Sequence, residues 1–362
     1  MRISSLSEDI NFEKRISITP EIAKKYISLG FTICLPKNYG DHLGFSNEEY
    51  KSLGISLLDN EEELFKNADI FVQLGLPDEN KLSLLEENHT LIGSLNTFSN
   101  KEKLEKLKFK KINSFSLELL PRITRAQSMD ILSSQANLAG YKAVIEAFKV
   151  YEKVIPMMMT AAGTIPAAKV LVIGAGVAGL QAIATAKRMG AVVFATDVRM
   201  ASKEQVESLG GKFLTVEGSE NLETEGGYAK ETSEDFKKKQ EELLVETLKK
   251  IDIIICTALI PGREAPKIIK ESMFKNLQQG SIIYDLAASQ GGNTVFTELD
   301  KIVEKNGVKI IGEANILNKL PVSASNLYAK NVFNFISNLY DKENKKLNIN
   351  LNDEIIEKTL IK

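Results

Sequence analysis

Lys169-Val-Leu-Val-Ile-Gly174-Ala-Gly176-Val177-Ala-Gly179-Leu, followed by Ala191-Val-Val-Phe-Ala-Thr-Asp197-Val198-Arg199, is the stretch that decides the fold. A short apolar run ends in three glycines, a helical stretch follows, and a second apolar run stops at Asp197, 18 residues after Gly179. Strand, glycine turn, helix, strand and acid form the dinucleotide fingerprint in its proper context. Gly174 permits the tight turn. Gly176 removes a side chain where backbone must approach a pyrophosphate, and Gly179 lets the helix pack closely on the strand. The helix start, from Val177 on, offers N–H groups and the positive end of a dipole to phosphates. Asp197 is expected to accept hydrogen bonds from the adenosine ribose hydroxyls and to repel a 2′-phosphate, which favours NAD over NADP. The alternative is a Rossmann-like domain that has lost its ligand.

Outward from this unit, apolar strands recur at Lys212–Thr215, Ile251–Cys256, Ser281–Asp285 and Val308–Ile311, with helical segments between most of them. That alternation predicts a doubly wound parallel sheet. The first ~120 residues read as a second α/β unit. Helix candidates lie at Ile22–Leu29 and Glu48–Leu53, and strand candidates at Phe31–Leu35, Ala68–Leu74, Leu91–Leu95 and Lys111–Phe115. The basic run Lys101–Lys111 reads as a solvated helix face. A long helix over Ile131–Val150 crosses from one unit into the other. The tail from Ser323 has helical apolar spacing (Leu327, Val332, Phe335, Ile336, Leu339) and is expected to pack back on the first unit. The fold class is therefore α/β with two Rossmann-like domains, the first discontinuous: residues 1–131 with 318–362, and 132–317. A chain of 362 residues is long enough for two cores.

Composition excludes several functions. A net charge of −2 gives no reason to invoke nucleic acid. No run approaches the ~18 unbroken apolar residues of a spanning helix, and the N-terminus lacks the apolar core of a secretory signal. Cys34 and Cys256 sit in separate apolar contexts and read as buried thiols of a reducing compartment. With only His42 and His89, and no Cys/His pair at ligand spacing, no metal site is expected.

Two further segments are informative. Glu217–Glu231 carries Gly226, Gly227 and Tyr228 in an acidic insertion, either a mobile flap beside the nucleotide or a surface loop. Leu119-Leu-Pro-Arg122-Ile-Thr-Arg125-Ala-Gln127-Ser-Met-Asp130-Ile-Leu-Ser133 predicts a polar loop leading into the crossing helix. It gathers donors and acceptors but no His or Lys suited to proton transfer near neutral pH. As composition alone it reads equally as a salt-bridge cluster at a domain junction.

Taken together, these segments resemble the NAD(H)-binding component, domain I, of the proton-translocating nicotinamide nucleotide transhydrogenases. The resemblance runs over nearly the whole chain and is carried by PRITRAQSMDILSSQANLAGYKAV, PMMMTAAGTIPAAKVLVIGAGVAGLQAIATAKRMGAVVFATDVR, KEQVESLGGKF, GGYAKE and TALIPGREAP. It implies Si/re-specific hydride transfer from NADH on this chain to NADP+ on a partner subunit, coupled to proton translocation. It further implies that Arg122, Asp130 and Ser133 orient the nicotinamide and that Gln127 reaches toward the NADP(H) of the partner. The flap at Gly227 and Tyr228 would close on NAD(H), Asp197, Val198 and Arg199 would hold the adenosine end, and Leu259 of the TALIPGREAP motif would also contact the cofactor. Family members are homodimers, and their remaining components form the membrane channel and the NADP(H) site. Without membrane helices, this chain resembles the variant encoded as a separate soluble subunit, peripheral to the inner membrane on its cytoplasmic or matrix-equivalent face. It departs from the family where an acid precedes Gly291-Gly-Asn; Gln290 or Ser289 stands there.

Alanine dehydrogenase shares the fold and the pattern Glu13-Lys-Arg15-Ile-Ser-Ile-Thr-Pro20. Its substrate-binding Lys and its His would fall at Val72-Gln73-Leu-Gly75-Leu-Pro77 and Ser94-Leu95-Asn96, where both functional side chains are missing. Arg15 remains, either as a relic that would hold a substrate carboxylate or as half of a structural ion pair.

Overall fold

The computed structural model describes residues 1–215, 234–260 and 262–362. The chain divides into two compact units, Met1–Gln135 with Leu317–Lys362, and Ala136–Ile316. The expected boundary at 131/132 coincides with the start of the helix Ile131–Val150. In the structure the first turn of that helix belongs to the first unit. There Ser134 Oγ donates to Asn331 Oδ1 at 2.6 Å and Gln135 Nε2 donates to the carbonyl of Ala324 at 3.1 Å.

The first unit is built on six strands: β1 (Arg2–Ser4), β2 (Thr32–Pro36), β3 (Ser56–Leu58), β4 (Ile70–Val72), β5 (Thr90–Gly93) and β6 (Asn113–Ser116). Their order is β3-β2-β1-β4-β5-β6, and every pair is parallel. Parallel strands are buried on both faces, which is why Ile70-Phe71-Val72 needs no polar alternation. Pro20 and Pro321 each stand in the first turn of a helix, Pro20–Ser28 and Pro321–Leu339, where a missing N–H costs nothing. Tyr328, Val332, Phe335, Ile336 and Leu339 of the second helix join Ile22, Tyr26, Ile33 and Phe115 in one buried cluster. The tail thus completes the core of the first unit.

In the second unit a hairpin, β7 (Met158–Thr160) and β8 (Gly163–Ile165), precedes the main sheet. That sheet comprises β9 (Lys169–Ile173), β10 (Val192–Thr196), β11 (Lys212–Phe213), β12 (Ile253–Cys256), β13 (Ile282–Asp285), β14 (Lys301–Lys305) and β15 (Val308–Gly312). Its order is β11-β10-β9-β12-β13-β15-β14. The sheet is parallel, as expected, apart from one added edge: β14 runs antiparallel, pairing Lys301 with Gly312 and Lys305 with Val308. Asn306 and Gly307, both at positive φ, make the two-residue turn that allows this reversal. Every residue of β12 is fully buried, as a central strand covered on both faces requires.

Candidate functional site

In the second unit the sheet order reverses between β9 and β12, so the crevice outside their carboxyl ends is where an open α/β sheet takes a ligand. Gly174 turns the chain there with φ +94°, a conformation that favours glycine. Its N–H donates to the carbonyl of Thr196 at 2.9 Å. A Cβ on Gly179 would run into the carbonyl of Gly174, so the helix Val177–Arg188 lies directly over the turn. Gly176, the residue before that helix, behaves differently. No side chain caps the helix, and a Cβ added to Gly176 would meet only Arg199 Nη2, at 3.9 Å. The outer two glycines are taken up by packing, whereas the middle one faces open space beside a cation. First-turn N–H groups, the dipole end and a guanidinium together suit a diphosphate. Val177 and Leu259 are exposed and Val198 is half-buried.

The Asp197 carboxylate, the expected acceptor for ribose hydroxyls, is held in place within the chain through both oxygens. Oδ1 accepts from the N–H of Arg199 at 2.8 Å and from Arg199 Nε at 2.9 Å. Oδ2 accepts from the N–H of Ala175 at 2.7 Å and from Arg199 Nη2 at 2.8 Å. The physical reason is turn chemistry: Asp197 follows β10 directly, its carboxylate takes the N–H two residues on, and a fork of guanidinium donors matches a carboxylate. The bond from the Ala175 N–H also ties Asp197 to the glycine turn.

Three residues that the sequence reading passed over support this crevice. Thr257, just after β12, donates its hydroxyl to the carbonyls of Gly174 at 2.9 Å and Ile173 at 3.1 Å. Asn293, fully buried, accepts from the N–H of Ala258 at 3.0 Å and donates to the carbonyls of Ala258 at 2.8 Å and Pro266 at 3.0 Å. Asp285, at the end of β13, accepts from the N–H of Asn293 at 2.7 Å and from Thr297 Oγ1 at 2.5 Å. The signal was present as a Thr and an Asn in glycine- and proline-bearing segments directly after apolar strands, where loop side chains hold backbone. Cys256 lies in the same region, but burial first, then the charge of Asp285, drives its thiol well above the usual range and keeps it protonated. Among the described residues no cluster of His, Cys, Asp and Glu suits a metal ion. Gly227 and Tyr228 lie outside the described residues.

The polar loop belongs to the first unit. Thr124–Met129 forms a tight 3-10 turn, with Ala126 and Met129 buried and Arg122 and Gln127 exposed. Asp130 begins the helix Ile131–Val150 as its cap: Oδ1 accepts from the N–H of Ser133 at 2.9 Å, and Oδ2 from Ser133 Oγ at 2.6 Å. Asn331 and Asn334 of the helix Pro321–Leu339 both donate to the carbonyl of Ser128 at 2.9 Å, and Arg125 pairs with Asp353. The loop is thus held at both ends while the Gln127 side chain stays exposed.

Gln73, directly after β4, and Arg15, in the segment between β1 and the helix Pro20–Ser28, bear on the dehydrogenase alternative. Gln73, 2% exposed, accepts from the N–H of Leu6 at 2.7 Å and from Ser5 Oγ at 3.1 Å. Its carboxamide is a structural cross-link. Arg15 forms a two-pronged pair with Glu13, at 2.6 and 2.8 Å, and donates to Gln135 Oε1 at 2.9 Å.

The comparisons with known proteins agree with this architecture. Residues 6–139 match the family described as "Alanine dehydrogenase/PNT, N-terminal domain", and residues 143–362 match "Alanine dehydrogenase/PNT, C-terminal domain". The chain is 46% identical over 368 residues to the first portion of the NAD(P) transhydrogenase alpha subunit of Rhodospirillum rubrum, covering 100% of this chain and 96% of that one. The chain belongs to the NAD(P) transhydrogenase alpha-subunit family. A solved transhydrogenase from Sinorhizobium meliloti superposes with a TM-score of 0.88 at 40% identity, covering 99% of this chain and 98% of that one. An L-alanine dehydrogenase structure gives 0.82 at 20% identity over 99% of this chain and 94% of that one, a likeness of fold. Membership places the chain among NAD-binding, Rossmann-like oxidoreductases. Among the described residues, no helix of this transhydrogenase relative is long and apolar enough to cross a membrane.

Proposed function

We propose that this chain is the NAD(H)-binding subunit of a proton-translocating NAD(P)+ transhydrogenase, passing hydride from NADH to NADP+ held by a partner subunit. The observation that carries the reading is the open cradle at Gly176, suited to a diphosphate, on a chain whose polar loop lacks any neutral-pH proton-transfer side chain. Hydride transfer between two nicotinamides needs no general acid or base. It needs two rings held in near-attack contact, about 3–3.5 Å apart, with water excluded. When bound, the dihydronicotinamide supplies the hydride itself. Gly174, Gly176, Val177 and Gly179 would cradle the diphosphate, and Asp197, Val198 and Arg199 would meet the adenosine end, with Leu259 and the Gly227–Tyr228 segment enclosing the cofactor. Arg122, Asp130 and Ser133 would orient the reactive ring, and Gln127 would set it against the NADP(H) of the partner. The geometry of Asp130 supports this division, since its bonds to Ser133 fix both side chains in one place.

The subunit would work as a homodimer, bound at the cytoplasmic or matrix-equivalent membrane face through NADP(H)-binding and membrane-spanning partners. Support for an additional interface comes from the hairpin β7–β8, where Met157, Met158, Met159 and Ile165 are all exposed. The alternative of an alanine dehydrogenase is disfavoured by Gln73 and Arg15, whose polar atoms are spent on Leu6, Ser5, Glu13 and Gln135.

The test mixes the purified chain with an NADP(H)-binding transhydrogenase component and follows transfer from NADH to an NADP+ analogue, with and without pyruvate plus ammonia. Transfer that depends on the component supports the proposal. NADH oxidation by the chain alone, driven by pyruvate and ammonia, establishes the dehydrogenase instead, and NADH binding with neither reaction points to a non-catalytic module.

A further inference from the structure

We infer that Thr257 is a positioning residue for the diphosphate-binding turn, acting from the neighbouring strand on the carbonyl of the first fingerprint glycine. The inference rests on the reading of the second unit as an NAD(H) site. Thr257 Oγ1 donates to Gly174 O at 2.9 Å and to Ile173 O at 3.1 Å, across the point where the sheet order reverses. It fills the space around the turn: a Cβ on Gly174 would lie 2.7 Å from this hydroxyl, and one on Gly179 3.1 Å away. These contacts all come from one oxygen, so the hydroxyl fixes both where the turn sits and how near the helix Val177–Arg188 approaches it.

Thr257 is itself held. Its N–H donates to the carbonyl of Ile173 at 2.8 Å, and the next residue, Ala258, is bonded through both its N–H and its carbonyl to the side chain of buried Asn293. Asn293 is in turn fixed by Asp285, at the end of β13. A continuous set of hydrogen bonds therefore runs Asp285, Asn293, Ala258–Thr257, Gly174, across three adjacent strands. Its last member is the tight turn that leads into Gly176, the backbone that would approach a diphosphate. Because a Thr side chain loses one rotatable bond on fixing, it holds that geometry at little entropic cost.

The experiment compares Thr257→Val, which keeps the shape and loses the hydroxyl, with Thr257→Ala and with Thr257→Ser, which restores it. NADH, ADP and adenosine affinities are measured on the full chain by fluorescence titration and competition, beside thermal melting. One lost hydrogen bond of ordinary strength predicts NADH and ADP binding weaker by about five- to tenfold in Thr257→Val and Thr257→Ala. Adenosine, which lacks the diphosphate, should bind as to the parent, and Thr257→Ser should restore parental NADH affinity. Equal loss for adenosine and ADP would overturn the inference, because a general loosening of the unit would then explain the data. Unchanged NADH affinity in Thr257→Val would overturn it as well. If the parent chain binds no NADH, the NAD(H) reading of the unit fails first and takes this inference with it.

Discussion

Gly140 stands in the middle of the helix Ile131–Val150, where a glycine ordinarily costs about 1 kcal/mol relative to alanine. By propensity alone, Gly140→Ala should stabilise the chain. The structure reverses that sign. A Cβ at position 140 would run into the carbonyl of Ala178, with Ala178 C at 2.8 Å and Cα at 2.9 Å. These are backbone atoms of the helix Val177–Arg188, so no side chain can rotate out of the way. Forcing a methyl into a packed contact costs about 1–3 kcal/mol, and rigid backbone places this case toward the upper end. Subtracting the propensity gain leaves a net destabilisation of about 1–2 kcal/mol. For a unit of this size each kcal/mol lowers the melting temperature by about 2–4 °C, so the expected drop is roughly 2–8 °C by calorimetry. Gly75→Ala is the control, since an added Cβ there meets nothing within 4 Å. Ala178 lies in the first turn of the nucleotide helix, so NADH affinity should fall in Gly140→Ala as well. A melting temperature at or above that of the parent would refute the close-approach argument.

The remaining predictions concern charge and the polar loop. Burial raises the Glu8 carboxyl from 4.5 to about 7, with the charge of Glu13 adding to the effect and the Leu74 N–H, Lys81 and Arg15 opposing it. A raised acid penalises the fold only where it is ionised: stability is full below pH 4.5 and is lost as pH rises through about 7. Glu8→Gln should therefore gain about 1–2 kcal/mol over the parent at pH 8 and little at pH 5, after allowance for partial exposure; equal gains at both pH values would refute this. Asp197→Asn would release Arg199 from its ionic partner beside the ribose position, so NADPH affinity should rise about tenfold and the preference for NADH should narrow. Fluorescence titration with both nucleotides checks it, and an unchanged ratio would show that Asp197 does not govern the choice. Gln127→Asn withdraws an exposed carboxamide by one methylene, about 1 Å, and should slow hydride transfer on the order of a hundredfold at nearly constant NADH affinity. Stopped-flow transfer in the reconstituted complex is the measure, and a parental rate would remove Gln127 from the reaction.

The central strands were legible because burial on both faces leaves a continuous apolar run, as in Val170–Ile173 and Ile253–Cys256. Strand β1, Arg2–Ser4, was not, since three residues carry no period; it is a strand because β2 and β4 pair with it on either side. The antiparallel edge β14 had a readable sign in Asn306-Gly307, a two-residue hairpin turn, but its Lys301-Ile-Val-Glu-Lys sequence looks like a solvated segment. At the site, the glycines announced themselves because backbone conformation and close packing demand that residue. The closure of Arg199 on Asp197 was also within reach, because an Asp in a turn commonly accepts from the N–H two residues on and so brings the following guanidinium near.

Contacts between distant segments were out of reach, and they bear directly on the candidate chemistry. The Ser128 carbonyl is held by Asn331 and Asn334, and Arg125 by Asp353, from a segment some 200 residues further along the chain. Amphipathic spacing in the helix Pro321–Leu339 foretold that its apolar face would be buried, since Val332, Phe335, Ile336 and Leu339 follow the 3.6 period. It carried no information about the polar positions between them. Asn331 and Asn334 sit one turn apart, on the same side of that helix, so both amides reach one carbonyl. The apolar face therefore completes the first core while the asparagines fix the loop that presents Gln127. A single helix couples the stability of the discontinuous unit to the placement of the exposed Gln127 side chain.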